Sequence, residues 1–189
     1  MSKLTALALS IAVLGGVWAY IALGPLGAED GTVEALVWVG FIAWGAFFHS
    51  GADDAALKKT IAGMIYGSVI AGVALSLVGA NPLGLAGAVG PAVYIAATVF
   101  LLVIVAGQDL LSSVPSNVYG YAATAGYALQ TANVGSVTAT DLSNPVLLVS
   151  LSVVLGTLFG LASSKLAGGT KSPPLPRGCC EAYHVAFKL

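Results

Sequence analysis

Long apolar stretches, parted by short polar turns, fill most of this chain and decide what it can become. The clearest is residues 145–166, Pro-Val-Leu-Leu-Val-Ser-Leu-Ser-Val-Val-Leu-Gly-Thr-Leu-Phe-Gly-Leu-Ala-Ser-Ser-Lys-Leu, whose one charge lies next to its end. A hydrocarbon core about 30 Å thick takes about 20 residues of helix. In lipid every backbone N–H and C=O must be satisfied within the protein, which leaves helices or a closed barrel. The runs here do not alternate with period two, so a barrel is excluded.

Composition closes off the soluble alternative. Of 189 residues, 58% are apolar and 8% charged, and mean hydropathy is +0.94. A soluble domain carries roughly 25% charged residues, so a water-facing surface could not be covered. The net charge of −1, with no basic patch, points away from nucleic acid.

Six runs follow one another. The first, residues 4–23, ends at Gly24-Pro25; Lys3 before it also suits a signal peptide. The run is long, however, and no small-x-small cleavage site follows it, so it is read as a retained helix. The others are residues 32–48, 60–78, about 85–106, about 114–130 and 145–166. Pro91 stands near the first turns of the fourth, where a kink is expected. The fifth is the most polar, with Pro115, Asn117, Tyr119, Tyr121, Thr124 and Tyr127. The expected fold is all-α: a polytopic bundle of six transmembrane helices over residues 1–168, then a disordered tail over 169–189 with Pro173-Pro174 and Pro176.

Orientation comes from the cations. With six crossings, Lys3, Lys58, Lys59, Lys165, Lys171, Arg177 and Lys188 all fall on one side, whereas Glu29, Asp30, Glu34 and Asp141 fall on the other. Basic residues stay cytoplasmic, so both termini are expected there, in an inner membrane. A re-entrant fifth segment would export the basic tail.

Twenty-four glycines are more than loops need. Gly63 with Gly67, and Gly156 with Gly160, form GxxxG patterns that let helix backbones approach closely. Each serves either packing within one subunit or a homo-oligomer interface.

Polar groups inside a membrane usually face a bundle interior or a wet path. Asn117, Tyr121, Thr124 and Ala128 share one face of the fifth helix, and Ser116, Gly120 and Tyr127 lie beside them. Such a stripe either lines a narrow passage or is buried by neighbouring helices. His49, at the cytoplasmic end of the second run, is a candidate gate or an interfacial residue. Trp44 is either a constriction or packing, and Trp38 and Phe48 suit interfacial belts. No H-E-x-x-H, G-x-S-x-G or GxxxxGK[ST] pattern occurs, so no enzyme and no cofactor are expected. Cys179-Cys180 with His184 is too sparse to predict a metal site.

The stretch Gln108-Asp109-Leu110-Leu111-Ser112-Ser113-Val114-Pro115, with Gly120 and Ala123-Thr124-Ala125-Gly126 after it, resembles a small bacterial inner-membrane family catalogued as a domain of unknown function, DUF1097. The ending Leu155-Gly156-Thr157-Leu158-Phe159-Gly160 is similar too. The resemblance implies a compact multi-helix inner-membrane protein and no established activity. The residues themselves point to a passive channel or facilitator for a small uncharged or weakly charged solute, of the urea, amide, ammonia or short carboxylic acid class. The alternative is a non-transporting module that packs against a larger membrane complex. The partners expected are the lipid bilayer and further copies of the chain.

Overall fold

A computed structural model of the chain describes residues 3–26 and 35–168. Regular structure among the described residues is helical: α1 Lys3–Leu23, α2 Val37–His49, α3 Asp54–Ala80, α4 Val89–Ile104, α5 Val114–Gln130 and α6 Pro145–Leu166. Short 3-10 turns at Val105–Gly107, Asp109–Leu111 and Val134–Thr138 join the last three. The tail expected over 169–189, with Cys179, Cys180 and His184, lies outside the described residues, as do Glu29, Asp30 and Glu34.

The fifth and sixth helices keep their expected bounds. Pro115 and Pro145 stand in their first turns, where a missing N–H breaks no helical bond. The third starts earlier than expected, because Asp53 accepts the Ala56 N–H at 2.7 Å and caps it. Lys58 and Lys59 therefore ride on the helix and not in the loop before it. The fourth starts later, because Leu85 is tied through both its N–H and its C=O to the side chain of Asn81. Asn81 itself ends α3 in the left-handed conformation, φ 41°. Pro91 falls in the first turn of α4, and the helix runs through it.

The second run departs most from expectation. The Leu36 N–H is taken by the Ser152 hydroxyl at 2.8 Å, so the helix begins only at Val37 and has 13 residues. That is about 20 Å of helix, short of a hydrocarbon core. Among the described residues four helices, α1, α3, α4 and α6, are long and apolar enough to cross a membrane; α2 and α5 are shorter.

Two helix pairs pack most closely, α3 with α5 and α2 with α6. A Cβ added to Gly67 would land on the Asn117 carbonyl, and one added to Gly156 on the Gly40 carbonyl. Both GxxxG patterns are thus used inside the chain. Gly63 meets Ser116 and Gly67 meets Tyr121, so α3 and α5 run the same way. Leu36 meets Ser152, Gly40 meets Gly156 and Trp44 meets Gly160, so α2 and α6 do too. The outer helices run against their supports. In α1, Ser10 donates to the Ser163 carbonyl and Trp18 packs on Phe159. In α4, Tyr94 bonds Asn81, and Leu101 accepts from Tyr66.

The centre is apolar, built from Val39, Ala43, Met64, Ala123, Val149 and Val153 among others of α2, α3, α5 and α6. The outward faces of α1 and α4 expose Leu9, Val13, Tyr20, Val93, Phe100 and Val103, a continuous run of large apolar side chains.

Candidate functional site

Pro115 starts α5 and Asn117 follows half a turn later. From there residues at spacings of three and four face α3. Asn117, Thr124 and Ala128 are fully enclosed, and Tyr121 is half-buried with its hydroxyl 3.2 Å from that of Thr98 on α4. Asn117 Nδ2 donates to the carbonyls of Leu102 and Leu111, at 3.3 and 3.1 Å, and so ties the end of α4 to α5. Its Oδ1 faces Gly63, where a Cβ would sit 2.6 Å away. Neither Asn117 Oδ1 nor Thr124 Oγ1 has a hydrogen-bond partner among the described residues.

Most other buried hydroxyls are satisfied by the helix that carries them. Ser68 donates to the Met64 carbonyl, Ser152 to that of Leu148 and Thr157 to that of Val153, at 2.7–3.0 Å. Thr124 departs from this habit.

At the end where α3 and α5 begin, hydroxyls from three segments converge. Ser113 lies 2.8 Å from Ser116 and 3.5 Å from Ser50, which in turn lies 3.5 Å from Thr60. The chain of hydroxyls leads from Ser50, beside the exposed His49, to Ser116, the neighbour of Asn117. Sequence reasoning marked His49, Ser116 and Asn117 but not Ser50 and Ser113, the hydroxyls that join them. These residues are scattered through the chain, and nothing local joins them. Asp109, exposed on the turn before α5, pairs there with Lys59 at 2.9 Å.

At the far end of α5, Tyr127 lines a groove of about 450 Å³ with Trp38, Ala122, Gly126, Gln130 and Thr131. Trp44 turns to the other seam. It is buried, stacks on Phe41 at 5.8 Å and donates to the Ser163 hydroxyl at 3.0 Å. The structure therefore brings Asn117, Tyr121 and Thr124 together along α5, puts His49 and Tyr127 near its two ends, and sets Trp44 apart.

Chemically the arrangement offers only neutral groups. Among the described residues every buried polar side chain is a serine, threonine or asparagine, apart from the polar atoms of aromatic rings. Such a set can exchange hydrogen bonds with an uncharged solute or with water, but provides no fixed charge for a dehydrated ion.

Comparison with known proteins gives one answer. No curated protein and no solved structure matches the chain. The model of a family described as proteins of unknown function, DUF1097, matches residues 8–168, and the chain belongs to that family.

Proposed function

We propose that the protein is a passive facilitator in a bacterial inner membrane for a small uncharged or weakly charged solute, of the urea, amide, ammonia or short carboxylic acid class. In this reading all six helices cross the bilayer, both termini are cytoplasmic, and copies of the chain associate. α2 and α5, at about 20 and 26 Å, cross by thinning the bilayer around them.

One observation carries the reading: two enclosed polar atoms without partners, Asn117 Oδ1 and Thr124 Oγ1, lie on one face of one helix. Leaving such an atom unpaired costs about 1–3 kcal/mol. Two on the same stripe, with a chain of hydroxyls ending at Ser116 beside the first of them, suit groups that serve a transient guest. The test is swelling of proteoliposomes in a panel of these solutes. Faster entry than in protein-free vesicles, reduced by Asn117→Leu, is the expected result; no solute entering faster overturns it.

The central packing favours a second reading. Where α2, α3, α5 and α6 meet, Val39, Ala43, Met64, Ala123, Val149 and Val153 form an apolar cluster, as suits a module that braces a larger complex. Purification from native membranes separates the two: a homo-oligomer fits the facilitator, and a stable heteromeric partner fits the module.

A further inference from the structure

The two halves of the chain bury the same positions in the same order. In α3, Ala56, Thr60, Gly63, Gly67, Ser68 and Ala71 are buried. In α6, at identical spacing, so are Pro145, Val149, Ser152, Gly156, Thr157 and Gly160. In α2 the buried set includes Val39, Gly40, Ala43, Ala46 and Phe47, and in α5, again at identical spacing, Ser116, Asn117, Gly120, Ala123 and Thr124. Ser10, Trp18 and Ala22 of α1 match Gly90, Thr98 and Leu102 of α4.

The contacts obey the same correspondence. Gly67 abuts the carbonyl of Asn117, and its counterpart Gly156 abuts the carbonyl of Gly40, the counterpart of Asn117. The α3–α5 pair corresponds to α6–α2, and α4 on α3 corresponds to α1 on α6. Directions complete the relation. α1 runs against α6, α6 runs with α2, and α2 doubles back into α3 through the turn at residues 50–53, where Thr60 reaches Ser50. α3 and α6 therefore point opposite ways.

We infer that residues 3–80 and 89–166 are two three-helix repeats of inverted topology, and that the groove at Tyr127 and the surface at His49 are the same entrance, presented once on each side of the membrane. Three is odd, so a second copy must enter the bilayer from the other side, and the axis relating the halves lies in the membrane plane. Under the correspondence Trp38, Gly126 and Tyr127 map onto Pro115, His49 and Ser50; Gln130 and Thr131 close the end of α5, and Asp53 and Asp54 stand at the same end of α2, where α3 begins. One entrance is lined by neutral hydrogen-bonding groups, and the other adds an imidazole and two carboxylates. That the entrances serve a small hydrogen-bonding solute rests on the facilitator reading; the inverted repeat does not.

The test uses the full chain with Cys179→Ser and Cys180→Ser, carrying either Thr131→Cys or Asp54→Cys. Both sites are exposed. A membrane-impermeant maleimide is expected to label Thr131→Cys in intact spheroplasts and Asp54→Cys only in inside-out vesicles. Labelling of both from the same side overturns the inverted repeat. In proteoliposomes that show solute entry, a bulky maleimide on either site is expected to cut entry at least threefold. Unchanged entry on fully labelled protein overturns the shared entrance. Absence of entry before labelling defeats the facilitator reading and with it the entrance assignment, while the sidedness result stands on its own.

Discussion

The α3–α5 seam and the α2–α6 seam have the same backbone geometry and are filled with opposite chemistry. In both, a glycine of the long helix presses on a carbonyl of the short one, Gly67 on Asn117 and Gly156 on Gly40. The first seam is otherwise lined by Ser68, Ser116, Asn117 and Thr124. The second is aromatic: Trp18 lies over Gly40, and Trp44 and Phe47 cover Gly160. In the second seam the polar atoms that face it are spoken for, Trp44 by Ser163 and Ser152 by the Leu36 N–H and the Leu148 carbonyl. The first retains two that are not. Close packing therefore does not require that every polar atom be paired; residues between the glycines decide, and here only the first seam leaves enclosed polar atoms without partners.

The sharpest way to break this comparison is to overfill both seams. Gly67→Leu and Gly156→Leu each force a side chain onto a carbonyl that cannot retreat. Each is expected to abolish the monodisperse peak in detergent, beyond the 1–3 kcal/mol typical of overpacking. Tolerance of one but not the other would show that the seams are not equivalent. Next comes a pair of isosteric changes. Thr124→Val removes an unpaired hydroxyl, so thermal stability should hold or rise by about 1 kcal/mol while solute entry falls. Thr157→Val removes a hydroxyl bonded to the Val153 carbonyl at 2.7 Å, so stability should drop by about 1 kcal/mol with entry unchanged. Equal effects on entry would erase the contrast between the halves. A smaller effect is expected at the rim, where Lys59→Met breaks the pair with the 94% exposed Asp109. The loss should be about 0.5 kcal/mol or less and disappear at high salt in a denaturation series.

The smallest concerns Asp141, whose carboxylate is held below its usual range by the hydroxyl and the N–H of Ser143. Because the folded value is the lower one, this contribution is present above the ordinary carboxylate range and fades as pH falls through the folded value. Asp141→Asn should lower stability slightly at neutral pH, leave it unchanged below the folded value, and so flatten the acid side of the stability profile.

Much of the fold was legible from local signals. Pro115 and Pro145 mark where α5 and α6 begin, and the bounds agree because a proline start depends on nothing distant. The second run was overestimated because the residue that stops it, Ser152, lies more than a hundred positions away. The stripe Asn117–Tyr121–Thr124 was visible from its spacing alone; that it would be closed over by Gly63 and Gly67 was not, since each pattern fits more than one partner. The repeat left still less trace. What is preserved between the halves is burial, and at matched positions the residues differ as widely as Thr60 from Val149 and Thr124 from Phe47.

The hydroxyls that bond back to their own helices have a consequence for the order of assembly. Ser68, Ser152 and Thr157 carry their acceptors with them, so those groups are satisfied as soon as α3 and α6 form, before any helix packs on another. Asn117 has no such provision: both acceptors of its amide lie upstream of α5, in Leu102 and Leu111. Those bonds close only once the end of α4 has docked on α5, so a chain that has formed its helices but not packed them leaves this amide unsatisfied.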